Sequence, residues 1–182
     1  MKKEFVAGRL DVKSFAQAAE SFSGEDALAA YERLAQEAQG PLEGLTVNWT
    51  ARGELRPGAG EGNEAWLHLQ ARACLPLVCQ RCMNPVDTEV ATDRWFRFAA
   101  DEAMAAALDD ETEEDVLVLS SEFDLQALVE DELLMELPLV PRHETCPVEI
   151  KRAAADPDFE EASAAKPGPF AALASLRLGK SG

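Results

Sequence analysis

Residues 65–79, AWLHLQARACLPLVC, decide the fold of this chain. Apolar side chains occupy every second position from Ala65 to Cys79, and the positions between them are mixed. A period of two is typical of a strand that buries one face, and such a long run of it favours an antiparallel sheet. The sequence therefore predicts a long half-buried strand over residues 65–79.

Shorter segments on both sides extend this strand into a sheet. Residues 45–52, LTVNWTAR, alternate in the same way, and residues 86–98, VDTEVATDRWFRF, return after the turn CQRCMNP. VLVLS at 116–120 is a further strand candidate. Consecutive strands joined by short connections form a meander. We predict an α+β fold, built on an antiparallel β-meander sheet with packed helices and a flexible C-terminal tail.

Two segments have the spacing of amphipathic helices. Residues 24–38 follow a helix-start pattern and end before Gly40-Pro41, and residues 124–137 begin at a capping aspartate and end at Pro138. Residues 101–115 combine an alanine-rich stretch with DDETEED, which is typical of a mobile acidic loop.

The C-terminal part of the chain differs in composition from the rest. We predict a single α+β domain over residues 1–152 and a flexible linker with a short docking helix over residues 153–182. AAADPDFEEASAAKPG is typical of a linker. In the final segment Phe170, Leu173 and Leu176 recur at helical spacing, which suits docking on this domain or on a partner.

The charge of the chain limits its partners. Its net charge is −17, from 34 acidic against 17 basic residues, and residues 98–141 hold fourteen acids without a Lys or Arg. Proteins that bind nucleic acid through phosphates normally present a basic face. Basic partners such as ribosomal proteins fit this charge, and RNA contact would need a local basic patch. The candidates are Arg94, Arg97, Arg142, Lys151 and Arg152.

Location and redox state follow from what the sequence contains. No apolar run reaches the length of a membrane span, and MKKEFVAGRL has no apolar signal region. We therefore expect a cytoplasmic protein. Its four cysteines are then expected to be reduced, metal-bound or catalytic rather than paired in disulfides.

Four residues match the spacing of metal ligands. Cys79 and Cys82 form a C-x-x-C in the predicted turn, and His143 and Cys146 form an H-x-x-C after a proline-interrupted segment. Three cysteines and one histidine are an allowed tetrahedral zinc set, which would make one structural zinc the cofactor. We expect Asn84 to supply the left-handed backbone that such turns need.

Other interpretations of the cysteines and histidines stay open. The alternatives for Cys79 and Cys82 are a redox pair or two buried thiols, although a redox pair favours a helix N-terminus rather than a turn between strands. Cys74 has the opposite strand parity from Cys79 and should face away from it. His68 shares the face of Cys74 and is expected to be a surface or stacking histidine.

The sequence lacks four common catalytic and nucleotide-binding motifs. The chain lacks a G-x-G-x-x-G, a P-loop, a G-x-S-x-G and an H-E-x-x-H. Two histidines leave little for general acid–base work. We expect no catalytic residues, and keep a metal-dependent ribonuclease of precursor rRNA or a thiol redox protein as the enzymatic alternatives.

Three blocks together resemble a known family. LPLVCQRCMNPV, then FDLQALVEDELLMELPLVPRH with Cys146, and the terminal PFAALASLR are similar to the bacterial YceD family of large ribosomal RNA subunit accumulation proteins. The likeness spans roughly residues 70–178, in the family's order, and its motif positions include all four candidate ligands.

The resemblance implies a role in ribosome biogenesis. The family is implicated in the synthesis, processing or stability of large-subunit ribosomal RNA, and is linked with a large-subunit ribosomal protein through gene neighbourhoods. The expected partners are therefore large-subunit ribosomal RNA, directly or through basic ribosomal proteins, with no membrane and no small-molecule substrate. The resemblance implies no enzymatic activity, which favours action by binding.

Overall fold

A five-stranded sheet organises the described part of the chain. The computed structural model describes residues 5–58, 62–109, 112 and 114–149. The strands lie in the order in which they occur in the chain. They are β1 Ser21–Ala27, β2 Thr46–Pro57, β3 Asn63–Val78, β4 Pro85–Ala99 and β5 Asp115–Val118. The first four pair antiparallel, which confirms the predicted α+β fold with a β-meander.

The fifth strand joins the sheet in the other direction. β5 pairs parallel to β4, with Phe98 opposite Leu117. Parallel neighbours need a crossover connection. Helix α3, Glu102–Asp109, lies in that connection, within the segment predicted to be a loop. The loop prediction is wrong for residues 102–109, since alanine favours helix; residues 110, 111 and 113 lie outside the described part.

Three further α-helices and two short 3-10 helices, Ala7–Arg9 and Leu28–Ala30, lie in the described residues. The three α-helices are α1 Val12–Ala18, α2 Glu32–Glu37 and α4 Leu125–Met135. The α4 prediction is confirmed, and the Asp124 carboxylate accepts a hydrogen bond from the backbone N–H of Ala127 at 3.0 Å. These elements belong to one unit, Met1–Cys146. The second unit, Pro147–Gly182, is described only over residues 147–149, so the predicted linker and docking helix lie outside the described residues.

The predicted helix over 24–38 is wrong in its first half. Residues 21–27 form β1, paired with β2, and the helix begins only at Glu32. Gly24 lies opposite Trp49, and a Cβ atom at Gly24 would lie 2.5 Å from Cζ2 of the Trp49 ring. Pairing with β2 thus overrides the local helical spacing, because a strand gains its stability from its neighbours.

The alternation along β3 gives the sheet two unlike faces. Leu67, Leu69 and Leu75 point inward and have no exposed surface. In the register, Leu67 lies opposite Phe96 on β4, which is also buried. Helices α1 and α4 pack on the sheet, and their apolar residues join the same core. The outward face, formed by the alternate residues, carries mostly polar and aromatic side chains.

Candidate metal centre

The turn between β3 and β4 presents the first half of the site. The backbone N–H of Met83 donates to the carbonyl of Cys79 at 2.8 Å, and the N–H of Cys79 donates to the carbonyl of Asn84 at 3.0 Å. Met83, with φ 60°, has the left-handed backbone that we expected at Asn84. The sequence therefore placed the strained position one residue too late. The bonds of this tight turn hold Cys79 and Cys82 on one side of it.

The chain after α4 supplies the second half. It runs back over the turn, where the N–H of Gln80 donates to the carbonyl of Pro141 at 2.9 Å. The guanidinium of Arg81 donates to the carbonyl of His143 and, at 3.2 Å, to that of Glu144. Arg81 thus fastens the H-x-x-C segment to the C-x-x-C turn. The sequence gives no signal for this role of Arg81, because it depends on carbonyl groups more than sixty positions away.

All four predicted ligands come together. The ligand atoms of Cys79, Cys82, His143 and Cys146 lie within 4.8 Å of one another. The Sγ atoms of Cys79 and Cys146 are 3.9 Å apart, and Sγ of Cys82 is 3.4 Å from Nδ1 of His143. Cys79 is buried, and the other three are partly buried.

The spacing within the cluster fits a tetrahedral ion. With zinc–sulfur bonds of about 2.3 Å, two sulfur ligands at the tetrahedral angle lie about 3.8 Å apart, and a sulfur and a nitrogen lie about 3.5 Å apart. The observed distances of 3.9 Å and 3.4 Å are close to both values. The cluster could therefore hold a metal.

The thiols of the cluster titrate unequally. Burial raises the pKa of Cys79, but hydrogen bonds from the backbone amides of His143, Arg81 and Cys82 lower it by more. The net pKa of Cys79 is about 5, well below that of a free thiol. Burial and the neighbouring Cys82 and Cys79 raise the pKa of Cys146. One thiolate forms readily and opposes a second beside it. A divalent cation removes that opposition, because it favours thiolate at every ligand position.

The remaining thiol and the other histidine lie elsewhere, as predicted. Cys74 is exposed, faces outward opposite Glu89 and is not a member of the cluster. His68 stacks on Trp95, with ring centroids 4.4 Å apart and the planes within 10°. The C-x-x-C lies between strands rather than at a helix N-terminus, so a helix dipole does not activate it.

Two arginines of the basic patch inferred from the sequence are paired with acids. Arg94 forms ion pairs with Asp115 and Glu132. Arg97 is largely buried and forms two hydrogen bonds of 2.7 Å with Glu64. Both guanidinium groups are thus satisfied within the protein, and Lys151 and Arg152 lie outside the described residues.

Within the described part of the chain, no helix is long and apolar enough to cross a membrane.

Comparison with known proteins gives a family match over more than half of the chain. The family described as "Large ribosomal RNA subunit accumulation protein YceD" matches residues 67–177. That range begins in β3 and includes all four residues of the cluster.

A curated relative gives the same description. The large ribosomal RNA subunit accumulation protein YceD of Haemophilus influenzae is 37% identical over 103 residues, which are 56% of this chain and 59% of that protein. The alignment therefore covers less than two thirds of the relative's length. No solved structure matches the chain.

Proposed function

Since this chain belongs to the YceD family of large ribosomal RNA subunit accumulation proteins, we propose that it supports the synthesis, processing or stability of large-subunit ribosomal RNA. It acts in the cytoplasm by binding rather than by catalysis. Its partners are that RNA or the basic ribosomal proteins bound to it. The family match over residues 67–177 is the observation that carries this proposal.

The cluster of Cys79, Cys82, His143 and Cys146 serves this function as a structural zinc site. Four protein ligands fill a tetrahedral shell, whereas catalytic zinc keeps one position open for water or substrate. The spacing of the ligand atoms supports zinc, and the presence of three thiols favours it over magnesium or calcium, which prefer oxygen. The ion would support the fold rather than perform chemistry.

The zinc site joins two distant parts of the chain. Cys79 and Cys146 are 67 positions apart, and β4, α3, β5 and α4 lie between them. A cross-link across a long loop restricts the unfolded chain more than one across a short loop. The ion would therefore stabilise the whole domain, and with it the surfaces that meet the ribosomal partner.

The proposed role is tested in cells that lack the protein. We expect large-subunit ribosomal RNA to fall relative to small-subunit ribosomal RNA, and to recover when the wild-type chain is supplied. Cys79→Ser should restore the ratio poorly, whereas Cys74→Ser, which removes an exposed thiol outside the cluster, should restore it fully. An unchanged ratio in cells without the protein would overturn the proposal.

Binding is distinguished from catalysis with purified protein. Precursor ribosomal RNA should stay intact in its presence with zinc, magnesium or manganese. Early large-subunit particles or basic large-subunit proteins should co-purify with the chain in low salt and dissociate in high salt, since ionic contacts weaken with screening. Cleavage of the precursor at defined positions by the wild-type protein would instead establish the ribonuclease alternative.

A further inference from the structure

The outward face of β2, β3 and β4 forms a polar groove. In the register, Thr50, Gln70 and Asp93 form one row across the three strands, and Asn48 and Arg72 lie in the next row. The edge strand β1 borders the groove, whose volume is about 710 Å³. This is within the range of small-ligand sites, and the side chains present amides, a hydroxyl and a guanidinium. The groove therefore offers both hydrogen-bond donors and acceptors, on a protein whose net charge is strongly negative.

Arg72 is the cation at the centre of this surface. It is exposed and lines both the groove and an adjoining cavity of about 340 Å³. Among the described residues, its side chain has no recorded hydrogen bond or ion pair. Arg33, Arg94 and Arg97, by contrast, are bound to carboxylates. A planar guanidinium left open to solvent is suited to a phosphate, which it can bind through two parallel hydrogen bonds.

A column of stacked side chains lies at one end of the groove. The Cζ atom of Arg56 is 4.3 Å from the ring centroid of Trp66 and 3.9 Å from that of Trp95. His68 stacks in turn on Trp95. Trp95 is the single aromatic ring stacked on His68 in the described part of the chain. The His68 side chain keeps 22% of its surface exposed, and a nucleobase could extend the column there, since bases stack on aromatic and histidine rings.

His68 connects the column to the groove through Asp93. The Asp93 carboxylate is 2.6 Å from Nε2 of His68 and accepts a hydrogen bond of 2.7 Å from Nε2 of Gln70. These two partners lower the pKa of Asp93, so it remains ionised and engaged. Asp93 thus stays a negative charge in the groove, held by two hydrogen-bond partners. It also fixes the His68 ring and the Gln70 amide, whose oxygen is left to accept a hydrogen bond from a base.

The distribution of charge sets the direction in which a strand would lie. Arg52 faces outward opposite His68, where it forms an ion pair of 3.6 Å with Glu54, and Arg72 lies two rows further along the same face. Glu25, on β1, is an acid on the opposite border of the groove. A phosphate backbone would therefore pass over Arg72 on β3 rather than over β1. Its bases would then meet Gln70 and the His68 ring.

We propose that this outward sheet face binds single-stranded RNA, with Arg72 contacting a phosphate and with Gln70 and His68 contacting a base. The inference rests on the proposed function and assigns to it a direct RNA contact. Unpaired bases are required because stacking and edge contacts across an open sheet are available only to bases released from a duplex. The surface is separate from the metal cluster, which lies at the turn between β3 and β4.

The proposal is tested with a short labelled single-stranded RNA of mixed sequence at low salt, with binding followed by fluorescence anisotropy. Arg72→Ala should weaken binding by roughly tenfold, the usual effect of losing a charge-assisted hydrogen bond. Arg72→Lys should restore part of it, since the charge remains but the paired hydrogen bonds do not. Arg9→Ala removes the same charge from an exposed arginine outside this face and should leave binding unchanged.

A second variant tests the base contact. His68→Ala should weaken binding to single-stranded RNA by roughly fivefold, as stacking on one ring contributes about 1 kcal/mol. Thermal melting of each variant shows whether it is folded. The RNA duplex of the same sequence should bind much more weakly than the single strand.

Several results would overturn the inference. Equal binding by Arg72→Ala and the wild type would exclude this surface, and equal binding of duplex and single strand would exclude unpaired bases as the ligand. Absence of RNA binding, together with Arg72-dependent capture of a basic ribosomal protein, would assign the face to a protein. In each of these cases, recovery of the ribosomal RNA ratio in cells supplied with the wild-type chain would leave the proposed function standing.

Discussion

The Sγ atoms of Cys79 and Cys146 lie 3.9 Å apart, although 67 positions separate the two residues in the chain. Cys79 belongs to a turn between strands, and Cys146 follows the last helix. Two thiols at this distance, with a third thiol and an imidazole beside them, are arranged for one tetrahedral ion. The cluster is therefore the part of the molecule whose chemistry can be tested most directly.

Removal of one ligand should cost both the metal and stability. We expect Cys79→Ser and Cys146→Ser to lose bound zinc and to melt about 10 °C lower. This shift corresponds to about 4 kcal/mol, the stabilisation given by a ligand at a thousand times its dissociation constant. Metal analysis and thermal melting measure the two effects. Cys74→Ser is the matched control and should match the wild type in both. If purified wild-type protein contains no zinc and melts at the same temperature as the variants, the zinc site is contradicted.

Arg81 should affect the metal without being a ligand. Arg81→Ala removes the hydrogen bonds to the carbonyls of His143 and Glu144, so the second half of the site is held less firmly. We expect a loss of roughly 10- to 100-fold in zinc affinity, as found for supporting residues around metal sites. Competition with a coloured chelator measures it. Arg142→Ala removes the same charge next to His143 and should have little effect on zinc affinity. An equal loss of affinity in both variants would point to charge rather than to the hydrogen bonds of Arg81.

Substitution of Gly24 tests the edge strand, because a strand and a helix predict opposite changes in the free energy of unfolding. A Cβ atom at this position would lie 2.5 Å from the Trp49 ring, so Gly24→Ala should destabilise the protein by about 1–3 kcal/mol. Had residues 24–38 formed a helix, alanine would have been stabilising. Denaturant unfolding decides between the two signs. Gly8→Ala is the control, because no atom lies within 4 Å of a Cβ there.

Glu130 and Glu132, neighbours on α4, should respond oppositely to pH. Glu130 accepts hydrogen bonds from the backbone N–H groups of Arg33 and Leu34 at 2.8 and 3.1 Å, at the start of α2. Burial raises the pKa of Glu130, but these amides and the Arg33 guanidinium lower it below the unfolded value. For Glu132 burial dominates and raises the pKa, despite the nearby Arg94 guanidinium.

The sign of each effect follows from these directions. The stabilisation by Glu130 is present above its unfolded pKa and is lost as the pH falls through its lower folded pKa. Glu130→Gln should therefore cost about 2 kcal/mol at neutral pH, the usual value for hydrogen bonds to a charged group, and less in acid. Glu132→Gln should cost less than 1 kcal/mol at neutral pH, because burial raises the pKa of Glu132 and so already penalises the carboxylate that the substitution removes. Melting temperatures of the two variants, measured from neutral to acidic pH, test these expectations. An equal loss of stability by both variants at neutral pH would contradict them.

The strands with strong alternation could be predicted from the sequence, and those without it could not. From Ala65 to Leu77 every second residue of β3 is buried, so its period alone revealed both the strand and its inner face. β1 has only partly buried and exposed residues, and its strand form depends on pairing with β2. The spacing of Ala27, Leu28, Tyr31 and Leu34 therefore suggested a helix where a strand, a turn and a short helix follow one another.

The same distinction holds for the candidate site. The ligand set could be predicted because cysteine and histidine at short spacing reveal their chemistry in the sequence itself. The clamp by Arg81 and the bond between Gln80 and Pro141 could not, since each joins segments that only the fold brings together. Likewise, alternation placed Arg72 on the outward face, but only its neighbours on β2 and β4 show that its charge is left open.

The position of Cys146 has a consequence for the order of events during synthesis. Cys146 follows all five strands and α4, and the other ligands precede it in the chain. While the nascent chain is emerging from the ribosome, the set of four ligands is incomplete until the sheet has been translated. A zinc ion at this site could therefore not nucleate the fold as a complete site. It would bind last and lock a domain that has already been translated, so a truncated product would fail to retain zinc.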